Sequence, residues 1–490
     1  MIVLLVASVI VELVLVCKPI WRHRRNFARL LLTLLILESV WLLLLEPFHI
    51  YVWIISIISF YRAVNIYRIL KNRFSNEHLL YSFQNTSRKL ILAQIIIGII
   101  GIYLDTLRVS NDLWIFDALL GLLIAIAMTI SIVPIKRSSS LINAEKLAVS
   151  KLPTLSVLIP ARNESDSLNE CLISLLACNY PKLEIIVLDD ASSDRRTPEI
   201  IRSFAHDGVI FIPGKECPSK WLAKNWAYQQ LLDSSNGELV LFCGADTKFN
   251  PSALTDLVSE LMEHELMMLS LMPVNVYSTQ VRYRILQPLR YSWEIALPRR
   301  LLWRPPVLST CWLAKRSFLF GSGSFKAISR RISPESYFAG IAFRSHKYKF
   351  LRTLLVTSNK PVKDQLETSI RVRYPQLRRR PEIVALFTML EIFNFFGLIP
   401  LSLVAGLDGN WILMSIGLVG IVFYFFTFGF VTSLTYRRFV FSGYFFWPLA
   451  VLVDIWLINV SMIKYEFGTV SWKGRNIDHS VMNPQADNVS

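Results

Sequence analysis

Three short polar segments carry the residue types from which a site for a charged ligand is built. They are Pro160-Ala161-Arg162-Asn163-Glu164, Asp189-Asp190-Ala191-Ser192-Ser193-Asp194 and Gly244-Ala245-Asp246-Thr247. Brought into one crevice, they gather carboxylates that repel one another unless a cation or a hydrogen-bonding ligand lies between them. A nucleotide sugar accompanied by a divalent metal supplies both. Aspartates accept from ribose hydroxyls or a base N–H, and Asp246 is placed to hold Mg²⁺ or Mn²⁺ through oxygen.

The elements that must position these segments follow from the pattern around them. Leu155–Ile159, Glu184–Leu188, Val209–Ile212, Leu239–Cys243 and Met268–Met272 read as strands. Ser165–Ala177, Thr197–Ala205, Trp221–Leu232 and Ser252–Met262 read as helices. Such alternation predicts an α/β domain with a mostly parallel sheet. Ligands of these sheets bind beyond the C-terminal ends of the strands, which is where the three polar segments fall. Ser333-Pro334-Glu335 reads as a helix start, with Ser as the cap and Pro at the first helical position. Glu335 then sits in a first turn, where the helix dipole favours a carboxylate. Asp194 reads as a turn or cap residue.

With Trp221-Leu222-Ala223-Lys224-Asn225-Trp226-Ala227 added, these motifs in this order resemble family 2 glycosyltransferases, in particular membrane-bound members similar to hopanoid-, carotenoid- and ceramide-modifying enzymes. The resemblance covers about residues 152–350, with Val470–Arg475 near the C-terminus. It implies a GT-A fold, a nucleoside-diphosphate sugar donor and inversion at the anomeric carbon. Carried over residue by residue, Pro160, Arg162 and Glu164 fall in the donor-binding segment. Asp189 and Asp190 match the acidic pair on the nucleoside, and Lys224 matches a lysine near the donor. Asp246 matches the metal-binding Asp of a DxD motif. Glu335 lies where the family has a Glu-Asp pair bearing the catalytic base. Gln376-Leu377-Arg378-Arg379 resembles the QxxRW motif, adding Gln376 and Arg379 to the donor side.

This sequence departs from the pattern at several of these positions. Gly244 stands for the first Asp of DxD, Ser336 for the Asp after Glu335, Arg380 for the Trp of QxxRW, and Gly323-Ser324-Phe325 for Gly-Gly-Phe. Inverting transfer needs a base for the acceptor hydroxyl, charge neutralisation for the leaving diphosphate, and alignment of the two substrates. Glu335 is the candidate base, since Ser336 has no useful basicity. Asp246 with a metal, helped by Lys224 and Arg378 or Arg379, would answer the leaving group.

Of the 490 residues, 53% are hydrophobic and 18% charged, against about 25% charged in an ordinary soluble domain. That excludes a disordered chain and points to a membrane part. Apolar runs at about 1–17, 28–45, 48–61, 89–104 and 113–135 precede the α/β region, and runs at about 383–405, 411–435 and 439–463 follow it. Basic residues after the first run (Lys18, Arg22, Arg24, Arg25) mark an uncleaved anchor with its N-terminus outside. Five spans then deliver residues 138–382 to the cytoplasm. Three further spans would put the tail outside, while Lys464, Lys473 and Arg475 favour the inside, so one of the three is a candidate re-entrant segment, with Pro448 as the break. The expected division is 1–137 transmembrane, 138–382 cytoplasmic and catalytic, 383–464 transmembrane and 465–490 tail. Glu12, Glu38 and Asp454 lie within apolar runs and read as paired in the helix interior or snorkelling near an interface, with a functional intramembrane site as the alternative.

The formal net charge is +16. It is uneven: Val281–Arg380 holds 22 basic and 4 acidic residues, whereas Lys151–Gln280 holds 10 basic and 17 acidic. The basic hundred residues border apolar spans, which favours a membrane surface or phosphate and argues against nucleic acid. Helices near 281–304, broken at Pro288 and Pro298, and near 368–382 are expected at the bilayer interface. Six cysteines without a CxxC pair read as reduced thiols. The sequence therefore leads to a multi-pass cell-membrane transferase that glycosylates a lipid or polyprenyl-linked acceptor. A processive polysaccharide synthase and an inactive homologue that binds nucleotide sugar or lipid as a scaffold are the alternatives.

Overall fold

A computed structural model describes residues 2–17, 24–45, 50–71, 77–106, 142, 145–164, 166–275, 281–295, 304–358, 360–392, 398–407, 409–436, 445–472 and 475–476. The chain clusters into two compact units that interleave along the sequence. One comprises 127–368 and 423–450, the other 1–126, 369–422 and 451–490.

The first unit is built on an eight-stranded sheet. Its strands are β1 (Leu155–Ala161), β2 (Leu183–Asp189), β3 (Val209–Pro213), β4 (Leu239–Cys243), β5 (Thr247–Phe249), β6 (Met268–Val274), β7 (Cys311–Lys315) and β8 (Tyr348–Ser358). Their spatial order is β3-β2-β1-β4-β7-β6-β8-β5. Parallel pairing joins β3, β2, β1 and β4, and again β6 and β8; β7 lies antiparallel between β4 and β6, and β5 antiparallel to β8. All five expected strands are present. β5, β7 and β8 had no counterpart in the sequence reading. β7 runs into Lys315-Arg316 and β8 carries Lys349 and Arg352, so their local apolar signal is weak, and pairing with distant β6 is what makes them strands.

Both faces of the sheet are covered, which is why its strands read as almost unbroken apolar runs. Val157, Ile159, Val187 and Leu241 enter one core with Leu168, Leu172, Leu254 and Val258 of helices Asp166–Leu176 and Ala253–Glu263. Leu158, Ile186, Leu188, Val240 and Phe242 enter the other, with Tyr228, Leu231 and Phe338 of helices Ala223–Ser234 and Pro334–Arg344. There Phe242 stacks on Trp312 at 4.3 Å between ring centroids. Helix Val281–Ile295 runs unbroken through Pro288, contrary to the expected break. Ile285, Leu289, Tyr291 and Trp293 of this helix are buried by protein, and that packing outweighs the one backbone hydrogen bond Pro288 removes. Pro298 lies outside the described residues.

The second unit is helical. Its helices include Ile2–Cys17, Arg24–Leu45, Ile50–Lys71, Glu77–Thr106 and Pro381–Ile392. Leu15, Leu31, Leu35, Ile66, Ile69 and Phe83 form an apolar seam between the first four. Polar residues lie inside it too. Arg62 Nε donates to Glu12 Oε2 at 2.7 Å and Nη1 to Gln94 Oε1 at 2.5 Å, while Gln94 Nε2 donates to Glu38 Oε1 at 2.6 Å. Arg373 meets Asp454 at 2.6 Å. The three acidic residues of the apolar runs are thus paired, as expected of ionisable groups in such surroundings. Three helices among the described residues, Tyr51–Lys71, Trp411–Thr435 and Trp447–Glu466, are long and apolar enough to cross a membrane. Pro448 does not break the last: it stands in the first turn of helix Trp447–Phe467, where no N–H is needed. The run at 113–135 lies outside the described residues, as does most of the expected tail. Of the Val470–Arg475 segment, Ser471–Trp472 (β9) pairs antiparallel with Arg475–Asn476 (β10).

Candidate active site

The loops after β1 and β2 are locked to each other by side chains. Arg162 Nη1 donates to the carbonyls of Asp190 and Ala191, each at 2.6 Å. Asn163 Oδ1 accepts from the Ser193 N–H at 2.8 Å, and the Asn163 N–H donates to Ser192 Oγ at 3.0 Å. Asp189 Oδ1 accepts from both the N–H and the hydroxyl of Ser192, at 3.1 and 2.5 Å. Asn163 and Ala191 both adopt left-handed backbone, φ 48°, each two residues beyond the end of its strand. Pro160 is the penultimate residue of β1, paired in register with Leu188. Glu164 exchanges backbone hydrogen bonds with Thr197 Oγ1 at 2.8 and 3.1 Å. Thr197 in turn donates its N–H to Asp194 Oδ1 at 3.1 Å, so Asp194 holds the turn that leads into helix Arg196–Ser203.

Gly214, just past β3, closes this corner. Its N–H donates to the Asp189 carbonyl at 2.9 Å. A Cβ at 214 would lie 2.6 Å from that oxygen and 3.3 Å from the Asp190 Cα, so only glycine fits. Asp190 is buried and Asp189 partly exposed.

Asp246 follows β4 and has a separate set of partners. Its Oδ2 accepts from Ser358 Oγ at 2.8 Å and lies 4.0 Å from Arg290 Nη2. Burial alone would raise its pKa, but the charges of Arg290 and Lys360 and the Ser358 hydrogen bond outweigh that, and hold the carboxyl below the ordinary aspartate range. It is therefore a carboxylate throughout the physiological range. Beneath it, the buried thiols of Cys243 and Cys311 are pushed well above the usual cysteine range, Cys243 first by its hydrogen bond with Cys171 and then by burial, Cys311 first by burial. Cys171, Cys178, Cys217, Cys243 and Cys311 are all free, in line with the reduced reading.

Lys224 and Glu335 meet although 111 positions separate them: Nζ lies 3.6 Å from Oε2. Lys224 is in the first turn of helix Ala223–Ser234, over the Tyr228 ring at 5.1 Å. Glu335 is in the first turn of helix Pro334–Arg344 and is 5% exposed. Ser333 stands at the N-cap and Pro334 at the helix start, as expected, but the Ser333 side chain makes no capping hydrogen bond. Pro334 has no N–H to offer, and the Ser336 hydroxyl donates back to the Ser333 carbonyl at 2.7 Å. Ser324, at the second glycine of the altered Gly-Gly-Phe, keeps a left-handed φ of 53°, a conformation glycine would adopt at less cost.

Gln376 and Arg379 belong to the helical unit. Gln376 ends helix Val362–Gln376, and the Arg379 guanidinium lies 4.6 Å from the Tyr465 ring centroid. Arg378 and Arg379 both take left-handed backbone, φ 58° and 53°.

Mg²⁺ or Mn²⁺ at Asp246 would need further oxygen donors around it. Among the described residues no three His, Cys, Asp or Glu side chains are grouped to hold a metal ion. A Cβ at Gly244 would lie 2.6 Å from Asp246 Oδ1. The retained carboxylate thus turns into the space a first DxD aspartate would need. With a hydroxyl on one oxygen and two cationic side chains nearby, Asp246 does not fit the role of metal ligand that the resemblance implies. Arg290, Ser358 and Lys360 were not singled out from the sequence; Arg290 and Lys360 were there only as members of the basic hundred residues.

Residues 156–321 match the model of the family described as Glycosyl transferase family 2. An N-acetylglucosaminyltransferase of Bradyrhizobium elkanii is 33% identical over 131 residues, covering 26% of this chain and 69% of that protein. The chain belongs to glycosyl transferase family 2. A probable glycosyltransferase of Bacillus subtilis, YdaM, is 36% identical over 121 residues, and this family 2 chain spans only 28% of its length. Among solved structures, a mannosyltransferase of Pyrobaculum calidifontis in complex with GDP-Man and Mn²⁺ covers 70% of the chain, and 98% of that structure is matched, at 17% identity and a TM-score of 0.41. The mostly parallel sheet with both faces covered by helices is the α/β architecture expected of a family 2 catalytic domain.

Proposed function

We propose that this family 2 chain is an inverting transferase. It moves a sugar from a nucleoside-diphosphate sugar to a hydroxyl of a lipid or lipid-linked acceptor at the cytoplasmic face of a cell membrane. The observation that carries the proposal is the arrangement of the carboxylate loops. Asp189-Asp190 and Asp246 leave the C-terminal ends of β2 and β4, which flank β1, and the strand order reverses at β1. That is the edge at which open α/β sheets take nucleotides. Asp189 and Asp190, steadied by Arg162, would hold the nucleoside, with Pro160 and Glu164 shaping the same loop. Lys224 would face the diphosphate.

In the transfer itself, Glu335 takes the proton of the acceptor hydroxyl as its oxygen attacks the anomeric carbon, and the bond to the diphosphate breaks on the opposite face. The Lys224–Glu335 contact makes one ion pair of a donor-side cation and the base. A membrane-borne acceptor is supported by the three long apolar helices and by the basic hundred residues.

Purified full-length protein incubated with UDP- and GDP-sugars and membrane lipid should give a single-sugar product that partitions into organic solvent, with inverted anomeric configuration by NMR. A water-soluble polymer would support the synthase alternative, and absence of transfer from every common donor would support the scaffold. Gly214→Ala should displace the Asp189-Asp190 corner and weaken UDP or GDP binding about tenfold, a loss of about 1.4 kcal/mol; unchanged affinity would exclude that corner from the nucleoside site.

A further inference from the structure

The position occupied by a metal in the implied motif is surrounded here by cationic side chains of the protein. Arg290 Nη2 donates to Thr310 Oγ1 at 3.0 Å and faces Asp246 Oδ2 at 4.0 Å. The Arg290 side chain is 8% exposed, and its Nη1 has no hydrogen-bond partner among the described residues. A buried guanidinium with one arm held and the other unsatisfied is poised for an anionic oxygen brought by a ligand. Lys360 adds a second positive charge near Asp246 and is anchored by Thr368, to whose Oγ1 its Nζ donates at 2.6 Å. Among the described residues Asp246 belongs to no group of three metal-binding side chains, and position 244 is glycine, where a Cβ would lie 2.6 Å from Asp246 Oδ1. A divalent ion arriving at Asp246 would meet the like charges of Arg290 and Lys360.

We propose that Arg290, with Lys360, replaces the divalent metal of this site: the guanidinium and ammonium bind the donor diphosphate directly, and Asp246 serves as the positioning residue that holds Arg290 in place. The inference rests on the glycosyl-transfer reading above. It assigns to Asp246 a role opposite in kind to metal ligation, since the carboxylate then orients a cation that belongs to the protein. Charge development on the leaving diphosphate would be met by preorganised donors and not by a bound ion.

The test uses the full-length protein in detergent, with UDP and GDP as probes and binding followed by calorimetry. Wild-type protein should bind one of them in EDTA with an affinity within about threefold of that in excess Mn²⁺, and Arg290→Met should lower the metal-free affinity by about 10–100-fold. Arg290→Lys, which keeps the charge but loses the fork, should fall between. Binding by wild-type protein that appears only with Mn²⁺ overturns the inference and leaves the donor reading intact. Absence of binding by either nucleotide in both conditions overturns the donor reading, and the inference with it. If Arg290→Met does not fold, the wild-type comparison with and without Mn²⁺ still decides.

Discussion

Replacing Glu335 with Gln should slow sugar transfer by about 10²–10⁴-fold while changing nucleotide affinity by no more than about twofold. The reasoning starts from geometry. Glu335 is buried at a helix start, and among the described residues its Oε2 makes no hydrogen bond but faces Lys224 Nζ at 3.6 Å. A carboxylate whose only task was to complement the helix dipole would do as well exposed to water. Burial beside Lys224, with Oε2 not hydrogen-bonded among the described residues, leaves that oxygen available to a substrate proton. Gln keeps the size and removes the basicity, so a structural role would survive the change and proton abstraction would not. Single-turnover transfer, measured beside equilibrium nucleotide binding, separates the two; full activity in Glu335→Gln would remove this residue as the base. Ser336→Ala is the control and should be near neutral, because that hydroxyl is engaged with the Ser333 carbonyl.

Arg62→Met should destabilise the helical unit by about 3–5 kcal/mol, the usual consequence of stripping one partner from a buried ion pair. Arg62 and Glu12 are both inaccessible and 2.7 Å apart, and Arg62 also reaches Gln94, which holds Glu38. Methionine fills much of the same volume but leaves the Glu12 carboxylate without its cation. The double variant Arg62→Met, Glu12→Gln should recover most of the loss, since removing both charges together can be nearly neutral. Thermal melting in detergent distinguishes this from simple loss of packing: a double variant as unstable as the single one would show that shape, not charge, is what matters at this position.

The residues themselves determined a good deal. Strand alternation with acidic strand ends predicts a parallel α/β sheet because buried parallel strands have no polar face and their ligands meet the loops. β1, β2, β3, β4 and β6 stand where expected. Asp189-Asp190 and Asp246 were legible for the same reason: a carboxylate directly after a buried strand is a strong local signal. Lys224 and Glu335 were reached by resemblance, and nothing in their spacing says that they touch. Antiparallel β7 and β8 and the surroundings of Asp246 depended on contacts between distant segments. Arg290, Ser358 and Lys360 lie 44 to 114 positions beyond Asp246, and no local pattern marks one arginine in a basic stretch as the one that turns inward. Gly244 read as a lost metal ligand; only the folded chain shows Asp246 occupying the vacated space, because that depends on which way one side chain packs. Sequence periodicity decides which elements form and which ends carry charge, whereas the partner each buried charge finds is a property of packing across the sheet.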